Sequence, residues 1–183
     1  LPEEQVTLIQ TLGDRDVSVI VVLSNGAPVE MPWIDSADAV VEGYLGGQAG
    51  ASAMARVLFG EVNPAGRLAE TFPNTLADTP SFHYFANHPR QVQYREGLYV
   101  GYRYYDSVGK DVLFPFGHGI SYTAFEYSDL RIDGTGVQSD GLPAESPPTT
   151  LSCRVANTGS RDGDEVVQVY VHDVESTQYR PEQ

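Results

Sequence analysis

Cysteine is nearly missing from this sequence. Cys153 stands alone among 183 residues, which excludes an intrachain disulfide, cysteine-rich zinc sites and CxxC redox chemistry. Single cysteine usage does not fix a compartment. Long apolar runs are missing too: the longest, such as residues 19–23, are strand-sized, far short of the ~20 apolar residues that cross a bilayer. Positive charge is scarce, with 11 Lys and Arg against 25 Asp and Glu, for a net charge of −14. A field of that sign repels polyanions, so nucleic acid and anionic membranes are excluded as partners. The acids concentrate toward the end of the chain, where an acidic surface serves solubility. The opening LPEEQVTLIQ has no Met, no basic n-region and no apolar h-region, so no targeting signal is legible. The closing STQYRPEQ follows a strand-like run without a cap. Both ends are expected to be cuts from a longer polypeptide.

What is present fits a globular chain of one or two domains. Apolar residues make up 41% and charged residues 20%, enough to bury a core without staples. Residues 3–12 set Val6, Ile9 and Leu12 at helical spacing, with acids in the first turn and Gly13 as a stop. Residues 17–23, VSVIVVL, form a β-branched apolar run of the kind found in a strand covered on both faces. The Asn25-Gly26 pair and two prolines predict a loop over residues 24–32. A second strand is expected over residues 39–45 and a helix over residues 48–59, with a glycine turn between them. This order predicts an α/β fold with a crossover sheet. A short extended piece follows at residues 68–72, then a long aromatic loop over residues 74–97. Residues 98–106, LYVGYRYYD, read as a strand weakened by Gly101, and residues 113–123 as compact loop.

The pattern then changes. Residues 125–132 alternate loosely, and residues 134–149 are rich in Gly, Ser and Pro. Residues 151–155 and 165–172 alternate with period two around the turn cluster Asn157-Thr158-Gly159-Ser160. Short alternating strands of this kind predict a small β-sandwich. The expected domain boundary lies near residue 123.

Several chemistries fail on spacing. The glycines at 43, 46, 47 and 50 open a helix after a strand, but they do not spell G-x-G-x-x-G and no Lys-Ser/Thr follows; a tight strand-to-helix turn is the better account. Ser52 lacks the second glycine of a G-x-S-x-G elbow. His83, His88, His118 and His172 have no metal-ligand spacing, and no metal or other cofactor is expected. The unusual feature is aromatic density: residues 82–127 hold 13 of the 19 Phe, Trp and Tyr residues, interleaved with Arg90, Arg95, Arg103, His83, His88 and Glu96. Rings stack on the apolar faces of sugars while charged groups hydrogen-bond hydroxyls; equally, such rings can be core. Glycoside hydrolysis uses two carboxyl groups. Glu42, Glu70, Glu96 and Asp106 lie on or near loops, and nothing in the sequence pairs any two of them.

The order of longer motifs is more specific. LPEEQ, VIVVLSNGAPVEMPW, EGYLGGQAGASAMARVLFGEVNPAGRLAETFP, YREGLYVGYRYYD, LFPFGHGISYTAFEY and VANTGSRDGDEVVQVYV together resemble the C-terminal part of glycoside hydrolase family 3, the β-glucosidase family. The resemblance implies a three-layer α/β sandwich with a mostly parallel sheet over residues 1–123. It further implies a partial fibronectin type III-like domain over residues 124–183. It places the nucleophilic Asp on a barrel domain and the acid/base Glu just upstream of Leu1, so neither catalytic residue falls on this chain. The partners implied are a β-glycoside, reached through the full-length enzyme, and the missing barrel domain or a partner chain supplying it. Tyr94, Glu96, Arg103 and Trp33 are the candidates for the substrate cleft or a domain interface. The alternative is a non-catalytic module that binds carbohydrate or protein through the aromatic, Arg-rich segment.

Overall fold

The structure is a computed structural model that describes residues 1–85, 90–134 and 149–172. His88, most of the Gly/Ser/Pro-rich stretch and the closing STQYRPEQ lie outside the described residues. Contacts divide the chain into two compact units. The first comprises Leu1–Val62, Gly66–Gly119 and the chain from Val166 onward; the second comprises Asn63–Ala65 and Ile120–Glu165.

In the first unit, helix α1 spans Glu3–Gly13 with Glu3 and Glu4 in its first turn, where carboxylates complement the exposed N–H groups of a helix start. Val6 and Ile9 sit one turn apart and pack on the core. Strands β1 (Ile20–Leu23) and β2 (Ala39–Glu42) pair in parallel, from Ile20↔Ala39 to Leu23↔Glu42. Parallel neighbours need a crossover connection, and residues 24–38 supply it. The Asp38 carboxylate accepts the Val19 N–H at 2.7 Å and locks the start of the ladder. Trp33, with 0% of its surface exposed, sits on the crossover and packs with Leu23, Met31 and Phe72.

The strand pair is covered on one face only. Ile20 is 55% and Val22 42% exposed, while Val19 and Leu23 are buried. The expected double coverage is therefore absent among the described residues, none of which forms a layer over that face. Past β2 a 3-10 turn at Gly47–Ala49 leads into α2 (Gly50–Leu58). Strand β3 (Phe72–Pro73) pairs antiparallel with β4 (Val112–Phe114), which puts Phe72 edge-on to Phe114 at 6.3 Å. Residues 113–114 thus lie in a strand, while residues 115–123 form the compact loop expected. The Thr75–Asp78 capping box starts the 3-10 turn Leu76–Asp78, and Lys110 reaches Asp78 at 2.8 Å.

Residues 102–108 overturn the expected strand. They form helix α3, Tyr102–Val108, with Tyr105 buried. Three tyrosines favour a strand by propensity, but burial of one ring at helical spacing wins. Gly109 ends the helix at φ +60° in the left-handed conformation, where a Cβ would be strained.

In the second unit, β5 (Phe125–Asp133) pairs antiparallel with β6 (Thr150–Asn157). The register shifts between Ser128 and Arg131, and Asp129 takes φ +54° inside the bulge. Asn157 fixes the turn beyond: its Oδ1 accepts the Thr123 hydroxyl at 2.7 Å and the Gly159 N–H at 3.0 Å, and its Nδ2 donates to the Arg161 carbonyl at 2.7 Å. Neither strand buries a residue, and among the described residues this unit shows one hairpin. The alternating residues 165–172 form no strand. Period-two alternation marks two faces but supplies no neighbour to hydrogen-bond.

Truncating Phe72 removes the ring that joins the crossover core to β4. Phe72→Ala should lower stability by about 3–5 kcal/mol, read from urea unfolding curves, with Phe82→Ala on the exposed loop as a control of small effect.

Candidate functional site

The aromatic segment is assembled by short turns. The Tyr99 N–H donates to the Glu96 carbonyl at 2.9 Å, and the Tyr104 N–H to the Gly101 carbonyl at 3.1 Å. Tyr102, at the start of α3, is its centre. Its ring lies 5.0 Å from Phe116 and 5.5 Å from Tyr170, and the Arg103 guanidinium sits 5.9 Å from the same ring. Such contacts add about 0.5–1.5 kcal/mol beyond area burial. Tyr170 is held in turn by Gln168: the phenol donates to Gln168 Oε1 at 2.5 Å, and Gln168 Nε2 donates to the Gly117 carbonyl at 3.3 Å. A Cβ on Gly117 would collide with the Gln168 amide, and Gly117 takes φ +80°. The PFGHG turn closes against Leu68, whose N–H reaches the His118 carbonyl at 2.9 Å and whose carbonyl accepts from Gly117 at 2.7 Å. His118 stacks on Phe114 at 4.9 Å, a structural role rather than a ligand's.

The expected site residues fall in different settings. Tyr94 is 82% exposed. Glu96 and Arg103 are half-buried, and each keeps one buried polar atom without a hydrogen-bond partner among the described residues: Oε2 of Glu96 and Nε of Arg103. A charged group in that state is costly unless something completes it. Arg95, two residues from Gln93, donates to its Oε1 at 2.7 Å and covers the Tyr84 ring at 4.9 Å. Trp33 is not at a surface at all: it is the most deeply buried side chain of the core, because the crossover must bury one large apolar group beneath β1 and β2. The sequence did not point to Phe116, Gln168 and Tyr170 as neighbours of Tyr102. Their contacts span up to 51 residues for the Gln168–Gly117 bond, and the only local signal was the pair of glycines around His118.

The four carboxylate candidates separate as well. Asp106 is exposed and acts on Tyr170, whose phenol is pushed up first by burial, then by Tyr102 and the Asp106 charge. Glu42 and Glu70 converge on Tyr44. The Tyr44 phenol is raised from 10.0 to about 12, first by burial, then by the Glu70 charge and a hydrogen bond with Glu70, and last by the Glu42 charge. Tyr105 is raised chiefly by burial, with smaller effects of Tyr104 and Asp78. Among the described residues no group of three His, Cys, Asp or Glu side chains could hold a metal ion, and no helix is long and apolar enough to cross a membrane.

Residues 1–122 match the glycosyl hydrolase family 3 C-terminal domain. The chain is 51% identical to the thermostable beta-glucosidase B of Acetivibrio thermocellus over 182 residues, which is 100% of this chain and 23% of that protein. It is 40% identical to the exo-alpha-(1->6)-L-arabinopyranosidase of Bifidobacterium breve, over 93% of this chain and 22% of that protein. The crystal structure of a GH3 beta-glucosidase from Bifidobacterium adolescentis superposes with a TM-score of 0.89 at 38% identity, covering 99% of this chain and 26% of that one. The chain thus spans about a quarter of the length of the proteins it matches.

Two measurements test these placements. Gly117→Ala should cost about 1–3 kcal/mol through overpacking against Gln168, with Gln168→Ala in the same background recovering part of the loss in thermal melts. Tyr44 has a folded pKa above its unfolded value of 10.0. Its contribution to stability is therefore complete below about pH 10 and is lost as pH rises toward 12. Tyr44→Phe should flatten that alkaline decline and remove an ionisation near pH 12 from the ultraviolet titration.

Proposed function

The chain belongs to the glycosyl hydrolase family 3 C-terminal domain family, and from that premise we propose that it is the C-terminal part of a retaining β-glycosidase of the β-glucosidase type. The observation that carries this is end-to-end similarity to beta-glucosidase B at 51% identity, over 23% of that enzyme's length. The whole protein hydrolyses terminal β-linked sugars by double displacement. An Asp nucleophile forms a glycosyl–enzyme intermediate, and a Glu acts first as acid and then as base. Both residues lie on polypeptide outside this span. This chain supplies scaffold and cleft wall. No cofactor or metal takes part in the proposed reaction.

Residues 1–123 form the α/β-sandwich domain in this reading, and residues 124–183 part of a fibronectin type III-like domain. The parallel β1–β2 pair, joined through a crossover, supports the first. The β5–β6 hairpin, which buries nothing of its own, supports the second. Tyr94, Glu96 and Arg103 border the substrate cleft or face the barrel domain. The unpartnered atoms of Glu96 and Arg103 support that placement, because a partner beyond this chain would complete them. The sugar is a β-glucoside in the first instance. A relative named as an arabinopyranosidase at 40% identity supports a specificity set by residues outside this span.

The isolated chain should leave an aryl β-glucoside unhydrolysed, while the full-length protein releases sugar with its anomeric configuration retained, followed by proton NMR. Turnover by the isolated chain above a mock preparation overturns the division of labour. In the full-length enzyme, Glu96→Gln should lower kcat/KM or stability by an amount equivalent to about 1.5–3 kcal/mol, the worth of a hydrogen bond to a charged group. Unchanged kinetics together with an unchanged melting temperature would remove Glu96 from both cleft and interface.

A further inference from the structure

The sequence contains a single Asn-Gly pair, Asn25-Gly26, and it lies just where the chain leaves β1. Asparagine is a thermolabile residue, and a following glycine exposes it to its own backbone. The nitrogen of the next residue attacks the side-chain carbonyl carbon, and a residue with no Cβ leaves that approach open. The Gly26 nitrogen gives up its proton and bonds to Asn25 Cγ. The Cγ–Nδ2 bond breaks, Nδ2 departs as ammonia, and a cyclic imide remains. Water then opens the imide at either carbonyl carbon, leaving aspartate or isoaspartate at position 25. Water is consumed, ammonia is released, and nothing is oxidised or reduced. The chain gains one negative charge.

Gly26 is exposed, so water reaches the peptide, whereas Asn25 is half-buried. The asparagine amide is restrained at both of its atoms. Nδ2 donates to the Ala27 carbonyl at 2.7 Å and to Glu42 Oε2 at 3.2 Å, and the nitrogen that makes these bonds is the one that must leave. Glu42 is itself fixed, accepting the Tyr44 N–H on Oε1 at 2.7 Å. Oδ1 of Asn25 is buried and has no hydrogen-bond partner among the described residues. Attack on Cγ drives negative charge onto that oxygen. No donor stabilises the charge as an oxyanion hole would, and the Glu42 carboxylate beside the same amide repels it. Sequence makes the pair reactive, and its surroundings slow it.

We propose that Asn25-Gly26 is a site of spontaneous deamidation in this protein and that Glu42 is the brake on it. Conversion exchanges the donor Nδ2 for a carboxylate oxygen facing Glu42. The tie between the β1 and β2 exits is lost and like charges meet across it. Tyr44, at φ +45°, is then deprived of the surroundings that such a backbone conformation needs. Converted molecules should melt at a lower temperature than fresh ones.

The test incubates the full-length protein at mildly alkaline pH, where the attacking backbone nitrogen ionises more readily. Peptide mapping by mass spectrometry follows position 25, and methylation by an isoaspartate methyltransferase counts the isoaspartate formed. Gly26→Ala should suppress conversion about tenfold or more, the equivalent of ~1.4 kcal/mol on the barrier. A Cβ at position 26 meets only Leu45 Cδ1, at 3.6 Å, and Gly26 does not take the left-handed conformation, so this variant should keep its fold. Glu42→Gln should speed conversion about tenfold, the equivalent of one hydrogen bond to a charged group. Wild-type protein that converts no faster than Gly26→Ala overturns the site. A Glu42→Gln rate at or below that of wild type overturns the brake, since it makes the carboxylate a helper of the reaction. Should Glu42→Gln fail to fold, native wild-type protein is compared with the same protein in urea: slower conversion in the native state supports the brake, and equal rates overturn it.

Discussion

The burial of Trp33 beneath β1 and β2 is the constraint from which the first unit is built. Two parallel four-residue strands cannot close on each other through a short turn, so the intervening chain must travel across one face. It does so over residues 24–38 and delivers Met31 and Trp33 against Leu23 and Phe72. Once that contact is made, the positions of β3 and β4 follow, because Phe72 carries its own strand with it and meets Phe114 across the pair. The aromatic segment is then anchored at both ends, by β4 on one side and by the buried Tyr105 on the other. The same crossover leaves the Ser24–Asn25 and Glu42–Tyr44 exits side by side, where one carboxylate joins them.

Much of this was legible where local rules and tertiary packing agree. The spacing of Val6, Ile9 and Leu12 with Gly13 as a stop gives α1 at Glu3–Gly13, and the Asn25-Gly26 loop, the strand near residue 39 and the helix after the glycine turn all appear in place. The failures have physical causes. Tyr102–Val108 reads as a strand because tyrosine favours strands, yet one buried ring and a left-handed Gly109 make it a helix. Residues 165–172 alternate as a strand should, but a strand exists only with a neighbour. Trp33 reads as a candidate for the cleft or a domain interface because sequence cannot report depth. The site candidates Glu96 and Arg103 could be named from the motif YREGLYVGYRYYD, whereas their incomplete hydrogen bonding is visible only in three dimensions. Glu42 and Glu70 stand 28 residues apart, a separation that no spacing rule joins, yet both act on the Tyr44 phenol.

The two units are unequal in self-sufficiency. The first has a core of its own, small but closed around Trp33 and Phe72. The second rests on backbone pairing between β5 and β6 and on a side-chain amide, Asn157, that stands in for missing packing by satisfying the turn beyond the ladder. Leu130 and Ile132 project from β5 into solvent, which is a liability for an isolated hairpin. The exposed face of β1 raises the same issue in the first unit. Both features fit a polypeptide whose relatives are about four times as long.

The bond from Gln168 to Gly117 and the Tyr170–Tyr102 contact mean that the first unit is not contiguous along the chain: the β5–β6 hairpin is spliced into it. During synthesis the ribosome delivers Tyr102, Phe116 and Gly117 well before their clasp. Loop closure over the hairpin must precede any reward from those contacts. The nascent protein therefore spends the interval with its tyrosine cluster open, until Gln168 and Tyr170 arrive to close it.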